Sequence, residues 1–225
     1  MAYTVYGKAS GPVKGVLFDM DGVVLDTEKL YARFWQEAAQ ALGYPMTYEQ
    51  ALGMRSLSGP AGQAKLESYF GSGVSRAVMR DKRVELMDAF VATHGVEAKP
   101  GIYELLDYLQ EKGIPAAITT SSPRERVERY LKPLGLLDRF DKICTGYEVK
   151  QGKPAPDIYL YGADSLHLRP EECLAIEDSP AGIESACRAG CMAVLVPDLD
   201  GADEAMRKML FAEAESLSDV IGLMR

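Results

Sequence analysis

Val16-Leu17-Phe18-Asp19-Met20-Asp21-Gly22-Val23-Val24-Leu25-Asp26-Thr27-Glu28 is an apolar run rich in β-formers that ends in two aspartates and a glycine. That is the pattern of a buried parallel strand delivering carboxylates to its C-terminal edge. Side chains two apart on an extended segment point the same way, so Asp19 and Asp21 converge, and Gly22 permits the sharp turn that exposes them. Two like charges so placed repel unless a cation or a shared chemical task holds them. A solvated acidic turn is the plain alternative. A calcium loop fails on spacing, since glycine is required sixth and glutamate twelfth, whereas counting from Asp19 gives Gly22 fourth and Leu30 twelfth.

Outward from this stretch, four further short apolar runs read as strands: Pro115 to Thr120, Lys142 to Thr145, Cys173 to Glu177 and Cys191 to Val196. Amphipathic helical stretches at Ser122 to Leu134, Pro156 to His167 and Pro180 to Ala189 separate them, each long enough for a right-handed crossover. The alternation predicts an α/β fold, Rossmann-like and doubly wound around a mainly parallel sheet. Between the first and second strands lies a long interval with helical signals instead. Leu30, Tyr31, Phe34, Trp35, Ala38 and Leu42 form one apolar face, Thr47 and Gln50 resemble a capping box, and Ser75 to His94 is amphipathic and closed by Gly95. An inserted all-α cap domain over residues 29–97 is expected, with 1–28 and 98–225 as the α/β core, and insertion at the sheet's C-terminal edge would put the cap over the acids. Gly201 to Ala214 reads as a helix, Ser218 to Arg225 as a terminal turn or short helix, and the first dozen residues as a loosely held tail.

The other strand ends also carry chemistry. After Thr120 and Ser121, Ser122 as N-cap, Pro123 at the first helical position and Glu125 predict a helix start whose free N–H groups would suit an anion. Lys153 stands in Gly152-Lys153-Pro154-Ala155-Pro156-Asp157, where glycine and prolines hold it as a fixed positive charge. Glu177-Asp178-Ser179-Pro180 places a second acid pair at a strand-to-helix turn. Simple capping or a solvated lysine would account for each of these alone. Together, four carboxylates (Asp19, Asp21, Glu177, Asp178) against one lysine and an incoming phosphate call for a divalent cation, and hard oxygen ligands favour Mg2+.

A chain of 225 residues with 47% hydrophobic and 26% charged composition can bury a sizeable core and is not disordered. Its net charge of -8 argues against nucleic acid or an anionic membrane as partner. No run approaches the ~18 apolar residues of a membrane span. Cys144, Cys173, Cys187 and Cys191 lack metal-site spacing and read as buried free thiols of a reducing, cytoplasmic setting.

In this order the four motifs resemble the haloacid dehalogenase superfamily, in the subgroup with a helical cap between the first and second motifs, and within it the β-phosphoglucomutase and pseudouridine 5'-phosphatase-like phosphatases. The resemblance spans roughly residues 14–198. It implies that Asp19 attacks phosphorus, that Asp21 protonates the leaving group and then activates water, and that Thr120 and Ser121 hold phosphate oxygens. Lys153 would neutralise charge, and Gly22 would contribute to the phosphate site. Mg2+ would lie on Asp19, the Asp21 carbonyl and Asp178, with Glu177 direct or one step removed. Tyr31 and Arg55 would contact the substrate from the cap. The implied activity is hydrolysis of a small phosphorylated metabolite, a sugar phosphate or nucleotide-like monoester, by a monomer or weak homodimer. Two alternatives remain: a phosphosugar mutase, weakened because the only histidines are His94 and His167 and none lies near Tyr31, and a non-turnover phospho-acceptor signalling module.

Overall fold

The computed structural model describes residues 2–9, 11–54, 57, 59–198 and 201–224. The chain forms two compact units, one of residues 1–25 and 97–225, the other of residues 26–96. In the larger unit the described strands are β1 (Tyr3–Val5), β2 (Gly15–Phe18), β3 (Ala116–Thr120), β4 (Lys142–Thr145), β5 (Cys173–Glu177), β6 (Met192–Leu195) and β7 (Ala212–Ala214). The smaller unit is helical, with α1 (Glu28–Ala41), α2 (Tyr48–Leu52), α3 (Gly59–Phe70) and α4 (Arg76–His94). The larger unit continues with α5 (Ile102–Lys112), α6 (Arg124–Leu131), α7 (Asp157–Ser165), α8 (Pro180–Ala189), α9 (Glu204–Arg207) and α10 (Leu217–Val220).

The strands make one sheet in the order β1-β7-β6-β5-β2-β3-β4. Every pairing is parallel except β1 with β7. From β2 the chain winds outward through β3 and β4, then crosses back to place β5 on the other side of β2. The order therefore reverses between β2 and β5, which is where ligands of doubly wound sheets bind. All residues of β2, β3 and β5 are buried, as expected of central strands covered on both faces. Helix α7 packs closely beneath this centre: a Cβ on Gly162 would lie 2.6 Å from Thr119 Cγ2 and 3.3 Å from Leu17 Cδ2, so only glycine lets the helix approach so near.

In the helical unit, Thr47 and Gln50 form the expected reciprocal cap, and Ser75 caps α4, which Gly95 ends. The buried face of α1 is Ala32, Phe34, Trp35, Ala38 and Ala39, while Leu42 is exposed.

Three expectations need correction. The N-terminal residues are not a loose tail: Tyr3–Val5 pairs antiparallel with Ala212–Ala214, and the Tyr6 N–H donates to the Phe211 carbonyl at 2.8 Å. The segment expected as one helix over 201–214 holds only the short α9 and then turns into β7, because the open edge of β6 offers hydrogen bonds that override helix propensity. Ser122 is not the N-cap of α6; Pro123 takes that place, with no side-chain cap, and the serine hydroxyl points elsewhere.

Leu17 is fully buried in the central strand. Leu17→Ala is expected to destabilise the protein by roughly 2–5 kcal/mol through lost burial and a residual cavity, read as a lowered denaturant midpoint. An unchanged midpoint would contradict the packing.

Candidate active site

The C-terminal ends of β2, β3 and β5 lie side by side, with Phe18 in register with Ile118 and Ile176. Asp19 follows directly, its N–H donating to the Ile176 carbonyl at 3.0 Å. This register brings Asp19, Thr119, Thr120 and Glu177 to one edge. The loop before α7 supplies the cation: Lys153 Nζ donates to Asp19 Oδ1 at 2.5 Å, to Glu177 Oε1 at 2.5 Å and to the Thr119 carbonyl at 3.1 Å. Three donated bonds saturate an ammonium, which fixes its position.

Glu177 is fully buried and its two oxygens are shared out among donors. Oε1 accepts from Lys153 and from the Tyr159 hydroxyl at 2.6 Å. Oε2 accepts from the Ser179 hydroxyl at 3.1 Å and the N–H groups of Asp178 and Ser179 at 3.2 and 3.4 Å. The carboxylate lies over the first turn of α8, so close that a Cβ on Gly182 would stand 1.9 Å from it. Gly182 is thus the residue that lets a helix start receive a buried carboxylate. Burial raises the Tyr159 hydroxyl well above its usual value, with Glu177 and Asp19 adding to it, so it stays a proton donor. Tyr159, Ser179 and Gly182 were not read as site residues in the sequence, where they look like core or capping positions.

Asp19, Glu177 and Asp178 each offer an oxygen within 4.8 Å of the others. The donor set is all carboxylate, the hard-oxygen chemistry that suits Mg2+. Charge supports the same fit. Burial pushes the Asp19 carboxyl up to about 7; Lys153 opposes this, while Glu177 and Asp21 reinforce it. Burial pulls the Lys153 ammonium down, but the attraction of Asp19 and Glu177 outweighs it and raises its pKa. The cluster is therefore short of positive charge, and a divalent cation would fit it.

Thr120 is buried, and its Oγ1 accepts from the Ser122 N–H at 3.0 Å. Ser121 is exposed at the start of the loop to α6. Ser122 Oγ donates to Asp21 Oδ2 at 3.0 Å. Gly22 has φ 85 and donates its N–H to the Leu25 carbonyl at 2.9 Å, which forms the turn after Asp21. Tyr31 lies in α1 of the smaller unit, where the Arg83 guanidinium sits 4.3 Å from its ring centre. Arg55 lies outside the described residues. All four cysteines are free thiols, with Cys187 only half-buried.

A family model for haloacid dehalogenase-like hydrolases matches residues 16–196. The chain belongs to that family. Among curated relatives, hexitol phosphatase A of Escherichia coli is 37% identical over 185 residues, covering 81% of this chain and 82% of that protein. The β-phosphoglucomutase of Bacillus subtilis is 31% identical over 209 residues, covering 87% and 90%. Among solved structures, CbbY from Rhodobacter sphaeroides in complex with phosphate superposes with a TM-score of 0.73 at 26% identity, covering 92% of this chain and 96% of that one. As a haloacid dehalogenase-like hydrolase, the chain is an enzyme, which sets aside the signalling module. Among the described residues, no helix is long and apolar enough to cross a membrane.

The raised Asp19 carboxyl has a consequence for stability. Its native pKa of about 7 lies above the usual 3.8, so the native state holds a proton that the unfolded state has lost, and stability falls as pH rises through that window. In chelator-treated protein, Asp19→Asn should raise the thermal midpoint at pH 8, with the gain shrinking toward pH 4. A lower midpoint for the variant at pH 8 would contradict this electrostatic picture.

Proposed function

We propose that the enzyme is a Mg2+-dependent phosphomonoester hydrolase that works through an aspartyl phosphate on Asp19. The observation that carries this reading is the Asp19 carboxylate at the switch point of the sheet, held at 2.5 Å by a lysine that Glu177 anchors from the other side. A carboxylate fixed this way is oriented for attack on phosphorus, and the lysine charge that restrains it also offsets the negative charge of the phosphoryl group.

In the first step an oxygen of Asp19 forms a bond to phosphorus as the bond to the leaving oxygen breaks. Asp21 gives its proton to that leaving oxygen. In the second step Asp21 takes a proton from water, whose oxygen attacks phosphorus and releases Asp19 and inorganic phosphate. The Thr120 hydroxyl oxygen already accepts from Ser122, so its own hydrogen is left for a phosphate oxygen, and Ser121 follows it toward the same group. Asp19, Asp178 and the Asp21 carbonyl would hold the metal; when bound, it supplies charge neutralisation for the transferring group. We assign Glu177 chiefly to positioning, because both its oxygens are engaged by Lys153, Tyr159, Asp178 and Ser179.

For substrate we propose a small phosphorylated sugar or a related nucleotide-like monoester, in keeping with the hexitol phosphatase among its relatives. Substrate selection we assign to residues of the inserted helical segment, with Tyr31 and Arg55 as candidates, and to the core segments 1–28 and 98–225 we assign the chemistry. The setting we propose is cytoplasmic, with the chain a monomer or weak homodimer. A phosphosugar mutase is the second reading, favoured by the Bacillus subtilis relative. Against it stand the two histidines: His94 is stacked on Phe90 at 4.2 Å at the end of α4, and His167 lies in the turn beyond the C-terminal end of α7, at the opposite end of that helix from Tyr159.

The test is phosphate release from p-nitrophenyl phosphate and a panel of sugar phosphates, nucleotides and phosphoglycolate. EDTA should silence the enzyme and Mg2+ restore it, and Asp19→Asn should lose turnover by more than about a thousandfold while remaining folded. Full activity in that variant would overturn the reading, and bisphosphate-dependent isomerisation without net phosphate release would favour the mutase.

A further inference from the structure

Ser122 joins two groups that the proposed reaction uses separately. Its backbone N–H donates to Thr120 Oγ1 at 3.0 Å, and its side-chain hydroxyl donates to Asp21 Oδ2 at 3.0 Å across 101 residues of chain. The residue is 6% exposed, so neither bond competes freely with water. A serine two residues past the end of β3 and just before a proline would ordinarily cap the following helix. Here Pro123 occupies the cap position of α6 without any side-chain cap, and the hydroxyl is spent on a carboxylate instead.

We propose that Ser122 is a positioning residue for proton transfer: it fixes the orientation of the Asp21 carboxyl relative to the phosphate-holding hydroxyl of Thr120. By bonding Oδ2, the serine hydroxyl sets the direction in which the carboxyl presents the proton it transfers. In the first step that proton moves from Asp21 to the leaving oxygen, which departs with the electron pair of the broken P–O bond. In the second step the Asp21 carboxylate takes a proton from water as the water oxygen bonds phosphorus and the bond from phosphorus to Asp19 breaks. Orientation matters because a general acid contributes only when its proton reaches the oxygen as the bond breaks. The link to Thr120 ties the carboxyl to the residue that grips the phosphate, so both move together if the loop shifts.

The inference rests on the phosphatase reading and deepens it, and leaving-group chemistry separates the two. Cleavage of p-nitrophenyl phosphate releases a weakly basic phenolate that needs little protonation, whereas an alkyl phosphate releases a strongly basic alkoxide that needs it. The comparison uses full-length Ser122→Ala, Ser122→Thr, Asp21→Asn and wild type, with kcat/KM measured on p-nitrophenyl phosphate and on the best alkyl monoester from the phosphate-release panel. Because kcat/KM reports the steps up to transfer onto Asp19, it isolates leaving-group protonation. Ser122→Ala is expected to lose about tenfold on the alkyl substrate and less than about threefold on the aryl one, with Ser122→Thr close to wild type. Equal losses on both substrates, as a disturbed loop would give, would overturn the assignment, as would no loss on either. If Asp21→Asn itself keeps alkyl-phosphate turnover, the acid–base reading fails; if Asp21→Asn is inactive there while Ser122→Ala matches wild type, only the role of Ser122 fails.

Discussion

A single ammonium group, that of Lys153, lies between two buried carboxylates, Asp19 and Glu177, and the rest of the site is arranged around keeping it there. Removing charges from water is costly, and a buried ion pair is stable only when its remaining lone pairs and protons are satisfied. That condition is met from all sides of Glu177 by Tyr159, Ser179 and the N–H groups that open α8, with Gly182 clearing the space. Asp19 differs: burial pushes its carboxyl toward protonation despite its lysine. Perturbed carboxyls of this kind cluster at functional sites, and on the proposed reading Glu177 positions the lysine while Asp19 meets the cation and the electrophile.

The fold provides this arrangement by register. Three central strands end level with one another, so residues separated by more than a hundred positions become neighbours without long loops to order. The end of β5 and the turn into α8 bring in the acid pair, and the loop before α7 brings in the lysine. Small residues make the close approach possible, Gly162 under the sheet and Gly182 under Glu177. The outer strands do less. The β1–β7 pair covers an edge of the sheet and carries none of the candidate site residues.

Much of this was legible in the sequence because the informative signals are local. The five parallel strands announce themselves as apolar runs, and acids, hydroxyls and lysine at their ends stand out against that background. What escaped was either too short or too distant in sequence. Tyr3–Val5 and Ala212–Ala214 are three-residue strands, below the length at which alternation can be seen, and the stretch before the second is rich in helix formers. Tyr159 sits on a helix face that reads as core, and nothing in its neighbourhood shows that its hydroxyl meets Glu177. Ser122 has the sequence context of a helix cap, and only the folded register reveals that Asp21 claims its hydroxyl.

Covalent chemistry at one carboxylate is what the proposed reaction requires above all. The most direct measurement is acid quench of the enzyme during turnover, followed by peptide mapping by mass spectrometry with and without hydroxylamine. A hydroxylamine-sensitive phosphoryl group on the peptide that contains Asp19 is the predicted result. A phosphoryl group on any other residue, or turnover by an enzyme that never carries one, would contradict it.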